Sequence, residues 1–234
     1  MNTTIIPANK RHFTDMGWLQ TYWLFSFSNY HDPANMGHGK LRVFNDDVVK
    51  PGTGFPTHPH EEMEIITIVM RGEISHKDSM GNGGVIRAGE VQRMSAGTGL
   101  THSEYNHGDR DLHFYQTWIL PDKKELLPSY EQKQFDPVNF KNVLFPLASG
   151  QEKAGAVSFH TDGTIYRSQL EAGRQLEFST NVNRRIFVYL TEGSLLVNSE
   201  RLGEKDRARF DTVEKLSFEA HKDSDFILID VPEK

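Results

Sequence analysis

The sequence predicts an all-β protein made of two tandem β-barrels, and two observations lead to this prediction. From about Leu41 onward, short segments rich in β-forming residues alternate with turns rich in Gly, Pro, Asn and Asp. The second observation is an internal repeat, in which a pair of glycines 20 residues apart recurs after 121 residues. Each second glycine follows an apolar β-like run, as expected for two copies of one barrel unit. The two pairs are Gly52 with Gly72 and Gly173 with Gly193.

The domain boundary is expected between the two repeats. The chain has 234 residues, enough for two domains of roughly 100 to 120 residues each. The Pro-containing segment 121–137 separates the copies. We assign residues 1–130 to an N-terminal barrel and residues 131–234 to a C-terminal barrel.

The individual elements follow from local composition. Runs of β-branched and aromatic residues bounded by turn residues predict strands. The Gly- and Asn-containing segment 78–84 predicts a wide turn between hairpin strands. Segments 123–127 and 132–134 are the helix candidates. The predicted strands include 41–44, 64–70, 72–76, 114–120, 186–190, 194–198 and 226–231.

Charge and composition exclude several classes of function. Lys and Arg number 26 against 32 Asp and Glu, a net charge of −6, which argues against direct nucleic-acid binding. The absence of cysteine excludes disulfides, thiolate metal sites and a Cys nucleophile. No apolar run reaches the roughly 18 residues of a membrane span. The N-terminus does not resemble a secretory signal, so we expect a cytoplasmic protein that does not insert into a membrane.

The first candidate motif is the His58-Pro59-His60 segment. In a strand, side chains two residues apart point to the same face, so His58 and His60 can bind one divalent ion. Pro59 removes a ladder N–H and is typical of an edge or bulged strand. Glu62 and Glu64 share the parity of the histidines if the strand continues regularly, and we expect them to face solvent or to support the ligands.

The second candidate motif follows a Gly-rich turn. His102 and Glu104 again stand two residues apart, and Gly97 and Gly99 before them allow a sharp bend of the backbone. Two same-face pairs on adjacent strands would form a site of three imidazoles and one carboxylate. Nine of the 11 histidines lie within the first 113 residues, so the two halves share a shape but not a chemistry.

Other polar residues near these motifs have less specific interpretations. His76 and Asp78 could be structural hydrogen-bond partners or functional groups, and their spacing does not decide between these roles. His107 and His113 lie outside the ligand spacing and are interpreted as structural. The aromatic residues near the motifs could line an apolar pocket or fill the barrel core: Phe25, Phe27, Phe55 and Tyr115.

These motifs resemble a known superfamily, the cupins. The spacing from Gly52 through His58, His60 and Glu64 to Gly72 is close to the first cupin motif, with one residue of difference in the last gap. The segment 97–106 resembles the second motif, with glycine at 97 where proline is usual. Several blocks are more specifically similar to the pirin family, and within it to the bacterial pirin-like quercetin 2,3-dioxygenases. These blocks are 25–30, 41–47, 54–55, 58–60, 63–64, 94–99 and 102–104.

The resemblance implies a bicupin fold with one metal site in the N-terminal barrel. The implied ligands are His58, His60, His102 and Glu104, with the carboxylate position open because Glu64 is the usual ligand in other cupins. The implied metal is one divalent ion. Nitrogen and oxygen ligands also suit Ni, Co, Mn, Cu or Zn, and the resemblance favours Fe(II). The implied reaction is the cleavage of a flavonol such as quercetin with O2 and release of CO, with Glu104 as the base.

The C-terminal copy departs from the cupin motifs. At the offset of 121, Ser179 replaces His58, Asn181 replaces His60 and Arg185 replaces Glu64. A less firm alignment of the second motif places Phe218 and Ala220 at His102 and Glu104. We therefore expect the C-terminal barrel to be degenerate and metal-free.

An alternative function uses the same metal site without turnover. Some members of the pirin family are thought to act as regulatory proteins that bind a transcription factor or an enzyme. The site would then sense metal or redox state, and the partner would be a protein rather than a flavonol. The ligand set does not separate these two functions, because both require an open coordination position.

Overall fold

The computed structural model describes residues 2–234, and it confirms the all-β, cupin-like fold. Twenty strands and three single-turn 3-10 helices are present in this range. The helices are Ala8–Lys10, Pro33–Asn35 and Pro137–Phe140. The strands are β1 Asn2–Ile6, β2 His12–Asp15, β3 Leu19–Trp23, β4 Leu41–Val49, β5 Gly54–His60, β6 Glu64–Arg71, β7 Glu73–Asp78, β8 Gly83–Arg87, β9 Glu90–Ser95, β10 Leu100–Tyr105, β11 Leu112–Ile119, β12 Ser129–Gln134, β13 Phe145–Ser149, β14 Val157–Ser158, β15 Thr164–Leu170, β16 Gln175–Ser179, β17 Arg184–Val197, β18 Glu200–Gly203, β19 Arg207–Asp211 and β20 Lys215–Pro232.

The N-terminal half consists of two sheets. A seven-stranded sheet has the order β12-β9-β6-β11-β4-β3-β2, and a four-stranded sheet has the order β5-β10-β7-β8. Their inner faces contact each other through apolar side chains at both ends of the sandwich. One cluster includes Val69, Ile74 and Phe114, and the other includes Ile65 and Leu100.

The C-terminal half repeats this layout with fewer, longer strands. Its nine-stranded sheet is organised around β17 and β20, which pair with each other over most of their length. The register of that pair shifts between Leu190 and Leu195. Beyond the shift, β17 pairs with β18 and β20 pairs with β16. The strands β17 and β20 therefore each run through both sheet layers of the C-terminal half. The strand β17 thus corresponds to β6 and β7 of the first half joined together.

The two halves exchange edge strands and share a core. β1 pairs with β19 of the C-terminal sheet, and β12 pairs with β9 of the N-terminal sheet. Phe44, Tyr115, Phe187 and Tyr189 are fully buried between the halves, with their rings in mutual contact. The proposed division at residue 130 falls inside β12 and stays a prediction.

Both helix predictions are wrong. Residues 123–127 contain bends and no helix, and 132–134 lie in β12. The charged residues of 123–127 have good intrinsic helix propensity, but Pro121 and Pro128 flank a segment too short to nucleate a helix, and Glu125 adopts a φ of 57°. The predicted turn at 78–84 is confirmed, because β7 and β8 pair across it. In residues 2–234 the structure contains no helix of the length and apolarity needed to cross a bilayer.

Candidate metal centre

His58 and His60 lie on the same side of β5, as predicted from their spacing. Both side chains are half-buried, while Pro59 between them is exposed. The Nδ1 atom of His58 lies 2.8 Å from the carbonyl oxygen of Pro56. A carbonyl only accepts hydrogen bonds, so Nδ1 carries the proton and Nε2 keeps a free lone pair. This contact orients the His58 ring as a metal ligand.

His102 completes a cluster of three imidazoles. It lies on β10 opposite His58, and the Nε2 atoms of the two rings are 3.0 Å apart. One nitrogen of His60 joins them, and all three ligand atoms lie within 4.8 Å of one another. Two nitrogens that each bind one ion at about 2.1 Å and at right angles are separated by about 3.0 Å, so the spacing fits a shared metal.

The turn before β10 explains how His102 reaches this position. Gly97 has a φ of 47°, and a Cβ atom there would lie 2.0 Å from the carbonyl oxygen of Leu126. Only glycine permits this close approach. The backbone then turns into β10 and places His102 and Glu104 on the inner face of the sheet.

Burial keeps His60 and His102 neutral. It lowers the pKa of His60 to about 4 and that of His102 to about 2, and neighbouring histidines add to both shifts. A neutral imidazole offers the lone pair that a metal ion requires. The buried Nδ1 atom of His102 has no hydrogen-bond partner.

Glu104 lies in the same interior but outside the close group of three histidines. Its side chain is buried, and Gln116 donates a hydrogen bond of 3.0 Å to Oε2. The other carboxylate oxygen, Oε1, is buried without a partner. Burial raises the pKa of Glu104 to about 7, opposed by the hydrogen bond from Gln116. A nearby cation would reverse this shift, so an unpartnered carboxylate here is suited to a positively charged ligand.

Glu64 and Glu62 do not point into this cluster. β5 ends at His60, and the chain turns before β6, with Glu62 at a φ of 48°, so the parity does not continue. Glu64 is buried rather than solvent-facing, and it binds across to the C-terminal half. Its Oε2 accepts a 2.7 Å hydrogen bond from Ser95, and its Oε1 lies 3.1 Å from Nδ1 of His160. Both carboxylate oxygens of Glu64 are therefore engaged away from the histidine cluster.

The remaining polar candidates divide into structural and interior residues. Asp78 accepts hydrogen bonds from the backbone of Met80 and Asn82 and thereby stabilises the turn. His113 lies 2.7 Å from Asp46, which supports its structural interpretation. His76 faces Glu104 across the sheet and contacts the His102 ring, and neither of its buried ring nitrogens has a partner.

A cavity of about 330 Å³ opens above the cluster. Of the four aromatic candidates, Phe27 and Phe55 line it, whereas Phe25 and Tyr115 are buried between the halves. Sequence reasoning missed the three tryptophans. Trp23 on β3 and Trp118 on β11 share the parity of the inward-facing residues of their strands, so strand periodicity could have indicated these two. The lining includes Trp18, Trp23, Phe27, Phe55, Trp118, Asn45, Asp47, Gln116, Glu104, His58 and His60.

The strand register corrects the alignment of the C-terminal copy. Between His102 and Glu104, β5 advances three residues while β10 advances two, which marks a bulge in β5. β16 has no bulge, and its Phe178 pairs with Leu216 as His58 pairs with His102. The equivalent of His58 is thus Phe178 rather than Ser179, which is exposed.

A second pair fixes the remaining position. Glu104 pairs with His76, and 121 residues after His76 stands Val197, which pairs with Phe218. Phe218 is therefore the equivalent of Glu104, and Leu216 that of His102. The earlier placement at Phe218 and Ala220 is wrong by two residues, because the connection before β20 is shorter than the one before β10.

Comparisons with known proteins agree with this fold. A family described as Pirin matches residues 7–119, and one described as Quercetinase C-terminal cupin domain matches residues 146–231. The chain is 40% identical over 226 residues to a quercetin 2,3-dioxygenase of Escherichia coli strain K12, covering 96% of each. It is 38% identical over 225 residues to a pirin-like protein of Caulobacter vibrioides, covering 96% of this chain and 97% of the relative.

Solved structures give the same result. The bacterial pirin YhhW of Escherichia coli in complex with nickel(II) has a TM-score of 0.94 at 37% identity, and the match covers 100% of both chains. A quercetin 2,3-dioxygenase of Acinetobacter baumannii shares the fold with a TM-score of 0.78 at 24% identity, covering 98% of this chain and 86% of that one.

Proposed function

The chain belongs to the pirin family, and on that premise we propose that it is a dioxygenase that depends on one divalent metal ion. The proposed substrates are a flavonol, such as quercetin, and O2, and the proposed reaction cleaves the flavonol with release of CO. The proposed ligands are His58, His60, His102 and Glu104.

The observation that carries the proposal is the position of the three imidazoles. Their nitrogens converge within 4.8 Å, and two of the three residues, His58 and His60, line a cavity whose wall is mainly apolar and includes five Trp and Phe side chains. Imidazole and carboxylate donors suit Fe(II), which is the proposed ion, and they also suit other divalent metals of the first transition row. A structural site would surround the metal completely, whereas these residues leave the cavity side open.

The cavity has the chemistry needed for a planar polyphenol. Trp18, Trp23, Phe55 and Trp118 offer flat apolar surfaces, against which aromatic rings pack favourably. The flavonol 3-hydroxyl group would face His58 and His60, which lie in the lining of the same cavity.

Glu104 is the proposed base. Its Oε2 is held by Gln116, while Oε1 is free to accept the proton of the 3-hydroxyl group. A bound divalent ion supplies a Lewis acid that stabilises negative charge on the flavonol oxygen.

The test is anaerobic reconstitution with Fe(II), elemental analysis, and quercetin turnover in air with detection of CO. The His58→Ala/His60→Ala variant is compared with His31→Ala/His107→Ala, which removes two exposed histidines elsewhere. We expect about one iron per chain and turnover in the wild type and the control, and neither in the site variant. Iron binding that depends on His58 and His60 without flavonol turnover would contradict the enzymatic proposal and favour the regulatory alternative.

A further inference from the structure

Between the two halves, a buried arginine lacks any counter-charge. Arg207 on β19 is 3% exposed, and its Nε and Nη1 atoms have no hydrogen-bond partner. Across residues 2–234 the structure gives it no ion pair. Its strand neighbours are Ile6 of β1 and Tyr189 of β17. Buried guanidinium groups are normally paired, so this arrangement calls for a ligand.

Two more guanidinium groups lie close to Arg207. Arg209 is on the same face of β19, stacks over the Phe25 ring at 4.5 Å, and donates a hydrogen bond to Asn35. Its Nε atom is also buried without a partner. Arg11 approaches from the N-terminal segment, where its Nη1 donates a 2.9 Å hydrogen bond to the Tyr189 hydroxyl.

The nearby carboxylates do not fully compensate this charge. Asp46 is shared by Arg11 at 3.5 Å, the Tyr189 hydroxyl at 2.6 Å and His113 at 2.7 Å. Asp211 forms an ion pair of 3.0 Å with Arg185. An excess of positive charge therefore remains at Arg207, while Asp211 and Asp32 compensate Arg209 in part.

The pKa values of both arginines are consistent with this excess of positive charge. Burial lowers the pKa of Arg207 to about 10, and the adjacent Arg209 lowers it further. Burial also lowers the pKa of Arg209 to about 10, and Asp211 and Asp32 oppose this shift without reversing it. Both groups stay protonated at neutral pH, so the site remains cationic.

We propose that Arg207, Arg209 and Arg11 form a binding site for a small oxyanion at the junction of the two halves. The anion would accept hydrogen bonds from the unpartnered guanidinium nitrogens and neutralise the buried charge. It would connect the N-terminal segment, through Arg11, to β19. The site is separate from the histidine cluster and does not depend on the proposed activity.

The test compares thermal stability of the full chain in phosphate and in chloride at equal pH and ionic strength. A ligand that binds only the folded state raises the melting temperature, and we expect a rise of at least about 4 °C in phosphate. Titration of inorganic phosphate observed by 31P NMR measures binding to the folded wild type directly. An acetate series distinguishes a carboxylate ligand from a tetrahedral oxyanion.

Arg207→Met is the site variant, and Arg201→Met is the matched control, because Arg201 is exposed on β18. We expect Arg207→Met to lose the phosphate effect and, in chloride, to be at least as stable as the wild type, because an unpaired buried charge is removed. Arg201→Met and the His58→Ala/His60→Ala variant should retain the phosphate effect. Equal melting temperatures in the two anions together with no binding by 31P NMR, or a phosphate effect that persists in Arg207→Met, would overturn the proposal.

Discussion

The two halves of the molecule share a strand layout but differ in what fills the interior. Three cross-strand pairs of the N-terminal half are polar, and their equivalents by register are apolar and buried. Each polar pair lies inside the sandwich and includes at least one buried polar atom without a partner. The pairs are His58–His102, His76–Glu104 and Thr67–Gln92, and their counterparts are Phe178–Leu216, Val197–Phe218 and Val188–Ala208.

This difference indicates that the two halves have different roles. The C-terminal interior forms one continuous apolar cluster, which stabilises its fold through burial of hydrophobic surface. The N-terminal interior separates two smaller apolar clusters by a polar layer. Buried polar groups without partners destabilise a fold, so we infer that this layer is maintained for metal and substrate rather than for stability.

The largest expected effect comes from placing the polar chemistry in the apolar half. Phe218→Glu puts the equivalent of Glu104 into a core without cations or hydrogen-bond donors arranged for it. We expect a loss of about 4 kcal/mol or more of unfolding free energy, or failure to fold. Urea denaturation measures this loss. The control is Phe218→Leu, for which we expect a loss of about 1 kcal/mol. Equal losses in the two variants would contradict the comparison.

The reverse substitution should affect metal binding and not the fold. His102→Leu introduces the residue found at the equivalent position in the C-terminal half, Leu216. We expect metal affinity to fall by at least about 100-fold, while the stability of the metal-free protein changes by no more than about 1 kcal/mol. Metal titration and urea denaturation of the same preparation measure both quantities. A large loss of metal-free stability would show that the polar layer also supports the fold.

A pH-dependent effect is expected from Asp47, which lines the cavity. Burial raises its pKa from 3.8 to about 8, so the stability it contributes is present at low pH and is lost as pH rises through about 8. Between pH 5 and pH 8, metal-free wild type should lose at least about 1 kcal/mol relative to Asp47→Asn. Denaturation curves at a series of pH values measure this difference. Parallel pH profiles of stability for the wild type and Asp47→Asn would refute the raised pKa of Asp47.

The smallest expected effect is none. If the alignment by sequence offset were correct, the double substitution Ser179→His/Asn181→His would restore a ligand pair. Both positions are exposed in the structure. We expect metal content and stability to match the wild type, as measured by elemental analysis and thermal melting. A second equivalent of bound metal would mean that the register-based equivalence with Phe178 is wrong.

The sequence was sufficient to predict the fold class, the repeat and the histidine pairs. Alternation within a strand is a local effect, and it places His58 with His60 on one face of β5 and His102 with Glu104 on one face of β10. That these two pairs meet depends on the pairing of β10 with β5, which the sequence analysis could only assume. The β5 bulge could not be predicted, since it appears only in the pairing with β10. The exchange of β1 and β12 between the halves also depends on long-range pairing. The surroundings of Glu64 were not predicted either, because its partner His160 lies 96 residues away.

The most direct test of the comparison is anomalous X-ray scattering at the iron edge, measured on crystals of the protein reconstituted with Fe(II). We expect one strong peak per chain, in contact with His58, His60, His102 and Glu104, and no peak among Phe178, Leu216 and Phe218. A peak bound by Glu64 in place of Glu104 would contradict the proposed ligand set, and a peak in the C-terminal half would contradict the division between the two halves.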